Sequence, residues 1–150
     1  MSHLTDKSIL FVCTGNTCRS PMAEGLARAM GAAAVASAGI SAGTGSASAN
    51  AVNIMKDIYD IDISSHISKN AADLGLSDFD LILTMTRTHK AYVAELFAPP
   101  PEKLFTLYEY ADGAESLPKD ISDPFMAGYD TYAACAAQIK HCLDRINERV

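Results

Sequence analysis

The run Ile9-Leu-Phe-Val-Cys13, followed at once by Thr14-Gly-Asn-Thr-Cys-Arg19-Ser20-Pro21, limits what this chain can fold into more than any other stretch. Ser8 to Cys13 is apolar and rich in strand formers, which reads as a buried strand. Thr14-Gly-Asn-Thr breaks that pattern. Ser20-Pro21 then supplies an N-cap and a proline at the first helical position. Met22, Leu26 and Met30 follow at helical spacing. A strand, a tight loop and a helix within about 30 residues form the opening unit of an α/β domain.

The rest of the chain repeats the alternation. Val35 to Gly39 reads as a second strand, and a Gly-, Ser- and Ala-rich loop covers Ile40 to Ser48. Val52, Met55, Ile58 and Tyr59 mark a helix from Ala49 to Tyr59, and Ile61 to Lys69 reads as loop. Asp80 to Thr84 is a third strand, followed by a helix from a Thr86 cap to Phe97 that the proline run 99–101 stops. Lys103 to Leu107 is a fourth strand and Tyr110 to Met126 is irregular. A last helix runs from Tyr129 to Val150 with Tyr132, Cys135, Ile139, Cys142 and Ile146 inward. The expected fold is α/β: a single three-layer α/β/α domain over residues 1–150, built on a four-stranded parallel sheet. In such sheets ligands bind outside the carboxyl ends of the strands, which singles out the loop after Cys13.

Charge and composition narrow the function. Twelve Lys and Arg against 18 Asp and Glu give a net charge of −6 without a basic cluster, so nucleic acid is not an expected partner. No apolar run is long enough to suggest a membrane span, and the N-terminus lacks the pattern of a signal peptide, so a cytoplasmic protein is expected. Cys13, Cys18, Cys135 and Cys142 are not in C-x-x-C pairs, and no His-x-x-x-His is present. Neither a metal nor a disulfide framework is expected. Cys135 and Cys142 read as small buried hydrophobes, His3 and His141 as surface residues, and His89 as part of a solvated helix face, with the active-site side of that helix as its alternative.

Five residues between Cys13 and Arg19 suffice to curl the chain around a tetrahedral anion, with successive N–H groups turned inward. Gly15 is expected to supply the unusual backbone angles of that curl. The helix opening at Ser20 or Pro21 adds its free N–H groups, and Arg19 can hold two anion oxygens with its planar fork. A thiol at a helix N-terminus beside a cation ionises more readily than a free one, which suits Cys13 to attack phosphorus. Ser20 is placed to donate to the sulfur and Asn16 to brace the loop. The acid for the departing group is expected in the irregular stretch, where Asp123 precedes Pro124 and Asp120 is the rival.

Val12-Cys-Thr-Gly-Asn-Thr-Cys-Arg-Ser-Pro-Met-Ala-Glu24 resembles the signature of the low-molecular-weight protein tyrosine phosphatases, and Asp123-Pro124 resembles their general-acid motif. The likeness runs on through Ser37-Ala-Gly39, Ser65-His66 and Leu83-Thr-Met-Thr86. It implies Cys13 as nucleophile, Arg19 as phosphate clamp and Asp123 as general acid, with Thr14, Gly15, Asn16, Thr17, Cys18, Ser20, Ser37 and His66 forming and supporting the phosphate loop. It implies a cysteinyl-phosphate intermediate, no cofactor, phosphorylated proteins or peptides as substrates, inorganic phosphate as product, and a monomer. Cys18 matches a cysteine that can pair reversibly with the nucleophile. Thr17 stands where tyrosine-specific members carry a bulkier aliphatic residue. Met126 follows Phe125 where they show two aromatics. With Lys103 to Leu107 and Tyr110, these features are similar to the bacterial branch acting on phosphoarginine, with Thr17 and Phe125 shaping the substrate pocket. Phosphotyrosine is the alternative. An arsenate reductase would need a mid-chain relay pair of cysteines, and none lies between Cys18 and Cys135. A phosphate-binding protein without catalysis would need neither Cys13 nor Asp123.

Overall fold

The computed structural model describes residues 4–32, 34–113 and 119–148. Four strands, β1 (Ile9–Cys13), β2 (Val35–Gly39), β3 (Leu81–Thr84) and β4 (Leu104–Thr106), form one parallel sheet in the order β2-β1-β3-β4. Five helices accompany it: α1 (Arg19–Ala29), α2 (Ala49–Tyr59), α3 (Arg87–Phe97), α4 (Leu107–Asp112) and α5 (Tyr129–Asn147).

The strand pattern explains the layers. Side chains alternate across a sheet, so Ile9, Phe11, Leu81 and Leu83 enter one core with α1, α2, α4 and α5. Leu10, Val12, Ile82 and Leu104 enter the other, against Val93 of α3 and the short turns at Ala71–Asp73 and Leu76–Asp78. Both faces of β1 are therefore covered, which is why it reads as a continuous apolar run. Each of these large side chains stabilises the fold by about 1.5–3 kcal/mol through burial. The result is the expected three-layer α/β/α fold. Because β2 and β3 flank β1 on opposite sides, the loop leaving β1 emerges at the point where the strand order reverses.

Several boundaries differ from the sequence reading, each for a local reason. Helix α1 begins at Arg19, with Cys18 in the capping place and no side-chain cap. Ser20 thus lies inside the first turn, and its hydroxyl turns to the Cys13 sulfur instead. The fourth strand stops at Thr106 because Thr106 and Glu109 close a capping box that starts α4 at Leu107. Tyr110 is therefore helical, and residues 114–118 of the stretch read as irregular lie outside the described residues. Glu148 caps α5; the expected continuation through Arg149 and Val150 also lies outside them. His89, expected on a solvated face, is only 5% exposed. The Thr86 cap sets the phase of α3 so that His89 and Val93, four apart, both face inward.

Candidate active site

Strand β1 delivers Cys13 to the carboxyl edge of the sheet, and the five residues between it and α1 wrap over it. What shapes the wrap is where its carbonyls go. Ile40 N donates to Cys13 O at 3.0 Å, Ser41 N to Thr14 O at 2.9 Å and Ser48 N to Thr17 O at 2.8 Å. Asn16 O accepts from Ser68 Oγ at 2.8 Å and lies 2.9 Å from His66 Nε2. In a trans peptide the carbonyl and the next N–H point opposite ways. Tying these carbonyls outward therefore turns the N–H groups of Thr14, Gly15, Thr17 and Cys18 inward. None of these four has a hydrogen-bond partner among the described residues. Four free N–H groups around a hollow, at the start of a helix, make an anion cradle.

The bend in this loop belongs to Asn16, at φ 57°, and not to Gly15, which keeps an ordinary backbone. Asparagine tolerates the left-handed region better than most residues. Its fully buried side chain also pins the bend: Nδ2 donates to Ser20 Oγ at 2.8 Å and to Ser37 Oγ at 2.9 Å, and Oδ1 accepts from Lys69 N at 2.9 Å. Ser37 in turn donates to Glu24 Oε1 at 2.6 Å, and Arg28 grips the other Glu24 oxygen at 2.9 Å. Gly39 is required for close approach. A Cβ there would fall 2.5 Å from Thr14 O and 2.9 Å from Asn16 N.

At the floor, Cys13 Sγ lies 2.9 Å from Ser20 Oγ and receives Asn16 N at 3.3 Å. Both groups face the Cys13 sulfur. Above it opens a cavity of about 240 Å3, lined by Cys13, Thr14, Gly15, Thr17, Cys18 and Arg19 of the loop, with Asp123 and Phe125 opposite. Arg19 is buried, donates from Nη1 to Ile121 O at 3.1 Å, and holds Nη2 3.6 Å from Asp123 Oδ2. Asp123 is half exposed, and its Oδ1 accepts from Phe125 N at 3.0 Å. The rival Asp120 is committed elsewhere, since Arg87 donates to it from its backbone N–H and its guanidinium. Asn16, Ser20, Ser37 and His66 stand behind the loop and do not line the cavity. A larger hollow of about 630 Å3, bordered by Glu24, Arg28, Asp60, His66 and Lys69, contains neither Cys13 nor Arg19.

The remaining cysteines differ in setting: Cys18 lines the cavity, while Cys135 and Cys142 are buried in α5. Cys18 Sγ lies 3.2 Å from Tyr132 Oη. Burial pushes the Cys135 and Cys142 thiols up to about 12, so both stay protonated. His89 lies on the active-site side of its helix, the alternative to the preferred solvated face, and its Nε2 lies 2.8 Å from Thr14 Oγ1. Burial, and then the nearby Arg19, lowers its pKa to about 4. The inward spacing of His89 and Val93 from the Thr86 cap was the signal for it. The described residues hold no cluster of metal-ligating side chains and no helix long and apolar enough to cross a membrane.

A thiol under a cradle of free N–H groups, with an arginine and a carboxylate at the mouth, on this α/β frame, defines a cysteine-dependent phosphatase. The chain belongs to the low molecular weight phosphotyrosine protein phosphatase family, whose sequence pattern matches residues 8–150. It is 37% identical over 147 residues to a protein-arginine-phosphatase of Geobacillus stearothermophilus, covering 95% of each chain. A low molecular weight protein-tyrosine-phosphatase of Staphylococcus epidermidis is 33% identical over 139 residues, covering 92% of this chain and 95% of the relative. A solved low molecular weight protein tyrosine phosphatase from T. tengcongensis superposes with a TM-score of 0.86 at 36% identity, over 95% of this chain and 99% of that one.

Proposed function

We propose that this protein removes phosphoryl groups from arginine side chains of proteins through a cysteinyl-phosphate intermediate. The observation that carries the reading is the Cys13 sulfur at the floor of a cradle of unpartnered N–H groups, with Asp123 at its mouth. The N–H groups and Arg19 hold the phosphoryl oxygens. Cys13 Sγ attacks phosphorus, the S–P bond forms, and the P–N bond to the guanidine breaks as Asp123 protonates the departing nitrogen. Asp123, now ionised, takes a proton from water as its oxygen attacks phosphorus. The S–P bond then breaks, and inorganic phosphate leaves. Ser20 Oγ steadies the sulfur as attacker and as leaving group.

Thr17, whose polar side chain lines the cavity, supports arginine as the substrate residue, and so does the likeness to the Geobacillus protein-arginine-phosphatase. The Staphylococcus relative, named a tyrosine phosphatase, favours phosphotyrosine as the second reading. Steady-state kinetics on matched phosphoarginine and phosphotyrosine peptides, with Cys13→Ser as the inactive reference, separate the two. The expected result is a preference for phosphoarginine of about a hundredfold in kcat/KM, which is about 2.7 kcal/mol of transition-state discrimination. The reverse preference assigns phosphotyrosine with the same chemistry. Turnover of neither peptide, with phosphate still bound, replaces catalysis by arsenate reduction or anion binding.

A further inference from the structure

His89 comes from a different element and a different layer than the phosphate loop, yet it touches that loop. Its backbone N–H is fixed by the Thr86 cap at 3.0 Å, and its ring is buried with Nε2 2.8 Å from Thr14 Oγ1. The other ring nitrogen, Nδ1, is buried with no partner. A neutral imidazole carries one proton, and the two tautomers differ here in what they leave unpaired. With the proton on Nδ1, a buried N–H donor is orphaned, which native structures almost never tolerate. With the proton on Nε2, only a lone pair is left bare. Burial and Arg19 keep the ring neutral in the working range; Asp123 and Asp120 are the acidic groups that act on it from the other side. The tautomer is therefore Nε2–H, and the ring donates to Thr14 Oγ1.

A hydroxyl has one proton and two acceptor sites. His89 occupies an acceptor site, and Thr14 Oγ1 has no other hydrogen-bond partner among the described residues. Thr14 also lines the cavity over Cys13. We propose that His89 is a positioning residue for phosphate binding: its Nε2–H fixes the polarity of the Thr14 hydroxyl and leaves that hydroxyl's proton for an oxygen of the phosphoryl group. The inference rests on the phosphatase reading above and adds a side-chain donor to the cradle of backbone N–H groups.

The test is the competitive inhibition constant of inorganic phosphate against turnover of p-nitrophenyl phosphate. His89→Leu and Thr14→Val each weaken phosphate binding about tenfold, as expected for one hydrogen bond to a charged group. The double variant is no weaker than the worse single one, because the two residues supply one bond. His89→Gln, whose amide N–H reaches the place of Nε2, stays within about threefold of the parent, a rescue that a purely packing role does not predict. Additive losses in the double variant, a folded His89→Leu with parental affinity, or a Gln variant as weak as Leu overturns the proposal. If His89→Leu does not fold, Thr14→Val against Thr14→Ser decides, and equal phosphate affinities of those two overturn it. A parent enzyme that neither binds phosphate nor turns over substrate removes the phosphatase reading itself; an active parent with unaffected variants removes only the role of His89.

Discussion

The two halves of the active site are built in opposite ways. The phosphate loop, from Cys13 to Ser20, is largely buried and tied through its carbonyls and the Asn16 side chain to β2, the 40–48 loop and the 66–69 segment. The acid segment is held at its two ends, the far one by Asn50 Nδ2 donating to Ala127 O at 3.2 Å, and is open between them. Asp120 meets Arg87, Ile121 N donates to Met85 O at 2.9 Å, and Ser122 donates to Gln138 from its N–H and its hydroxyl. Past that point Phe125 is 65% and Met126 87% exposed, and Met126 holds φ 66°. The difference follows from their tasks. An anion cradle works only if its N–H groups are oriented before substrate arrives, since reorienting them afterwards would consume the binding energy. On the proposed chemistry the acid reaches a leaving group attached to a protein, and a half-exposed loop gives that group room.

That contrast can be broken by experiment. Asp123→Asn keeps the Oδ1 acceptor for Phe125 N, so it is expected to lower kcat by about 10²–10⁴-fold on substrates with poor leaving groups, with folding stability changed by no more than about 0.5 kcal/mol. Leaving-group dependence of kcat and a denaturation curve measure the two halves of that statement. A large stability loss here would mean that the acid segment is as tightly built in as the loop.

Asn16→Ala is the counterpart. It removes three buried hydrogen bonds and leaves an alanine at positive φ, and a loss of about 3 kcal/mol in unfolding free energy is expected together with weakened phosphate binding. Urea denaturation checks it. A change below about 1 kcal/mol would show that the loop is held by its backbone ties alone.

The smallest effect concerns pH. His89 has its pKa lowered from 6.5 to about 4, chiefly by burial, with Arg19 adding to it and Asp123 and Asp120 opposing. The unfolded chain therefore binds the extra proton first, and stability falls as pH drops from about 6.5 towards 4. Above that window the group contributes no pH dependence. The loss reaches on the order of 2–3 kcal/mol at the low end. Thermal unfolding from pH 7 to 4.5 should show this slope in the parent and a shallower one in His89→Gln. Parallel curves would assign the slope to other groups.

Much of the site was legible before any fold was known. The apolar run before Cys13, the fixed interval to Arg19 and the proline after it lie within one strand–loop–helix unit, where local sterics dictate the path. The same local logic failed at Gly15, because the glycine was the obvious candidate for an unusual φ while the bend went to Asn16. An asparagine wins there only if something holds its side chain, and Ser37 and Lys69 are supplied from other strands and loops. The missed helix α4 had a readable signal in Thr106 and Glu109, which the strand reading of Lys103 to Leu107 overran. The preference for Asp123 over Asp120 was legible in the Asp123-Pro124 pair; what the sequence did not show is that Arg87, brought alongside from α3, engages Asp120.

By itself the sequence determined the continuous part of the chemistry: a thiol at the end of a buried strand, a loop of the right length to ring an anion, and an arginine at the helix start. Those features rest on backbone geometry over a few residues, and neighbours along the chain are sufficient to set it. Only the tertiary structure decided that Arg87 occupies Asp120, that Ser68 and Lys69 tie down Asn16, and that His89 lies inside against Thr14. Those pairings join residues far apart in sequence, so no local preference encodes them. They form only where sheet order and helix packing bring the groups together and burial makes an unpaired polar atom too costly to leave.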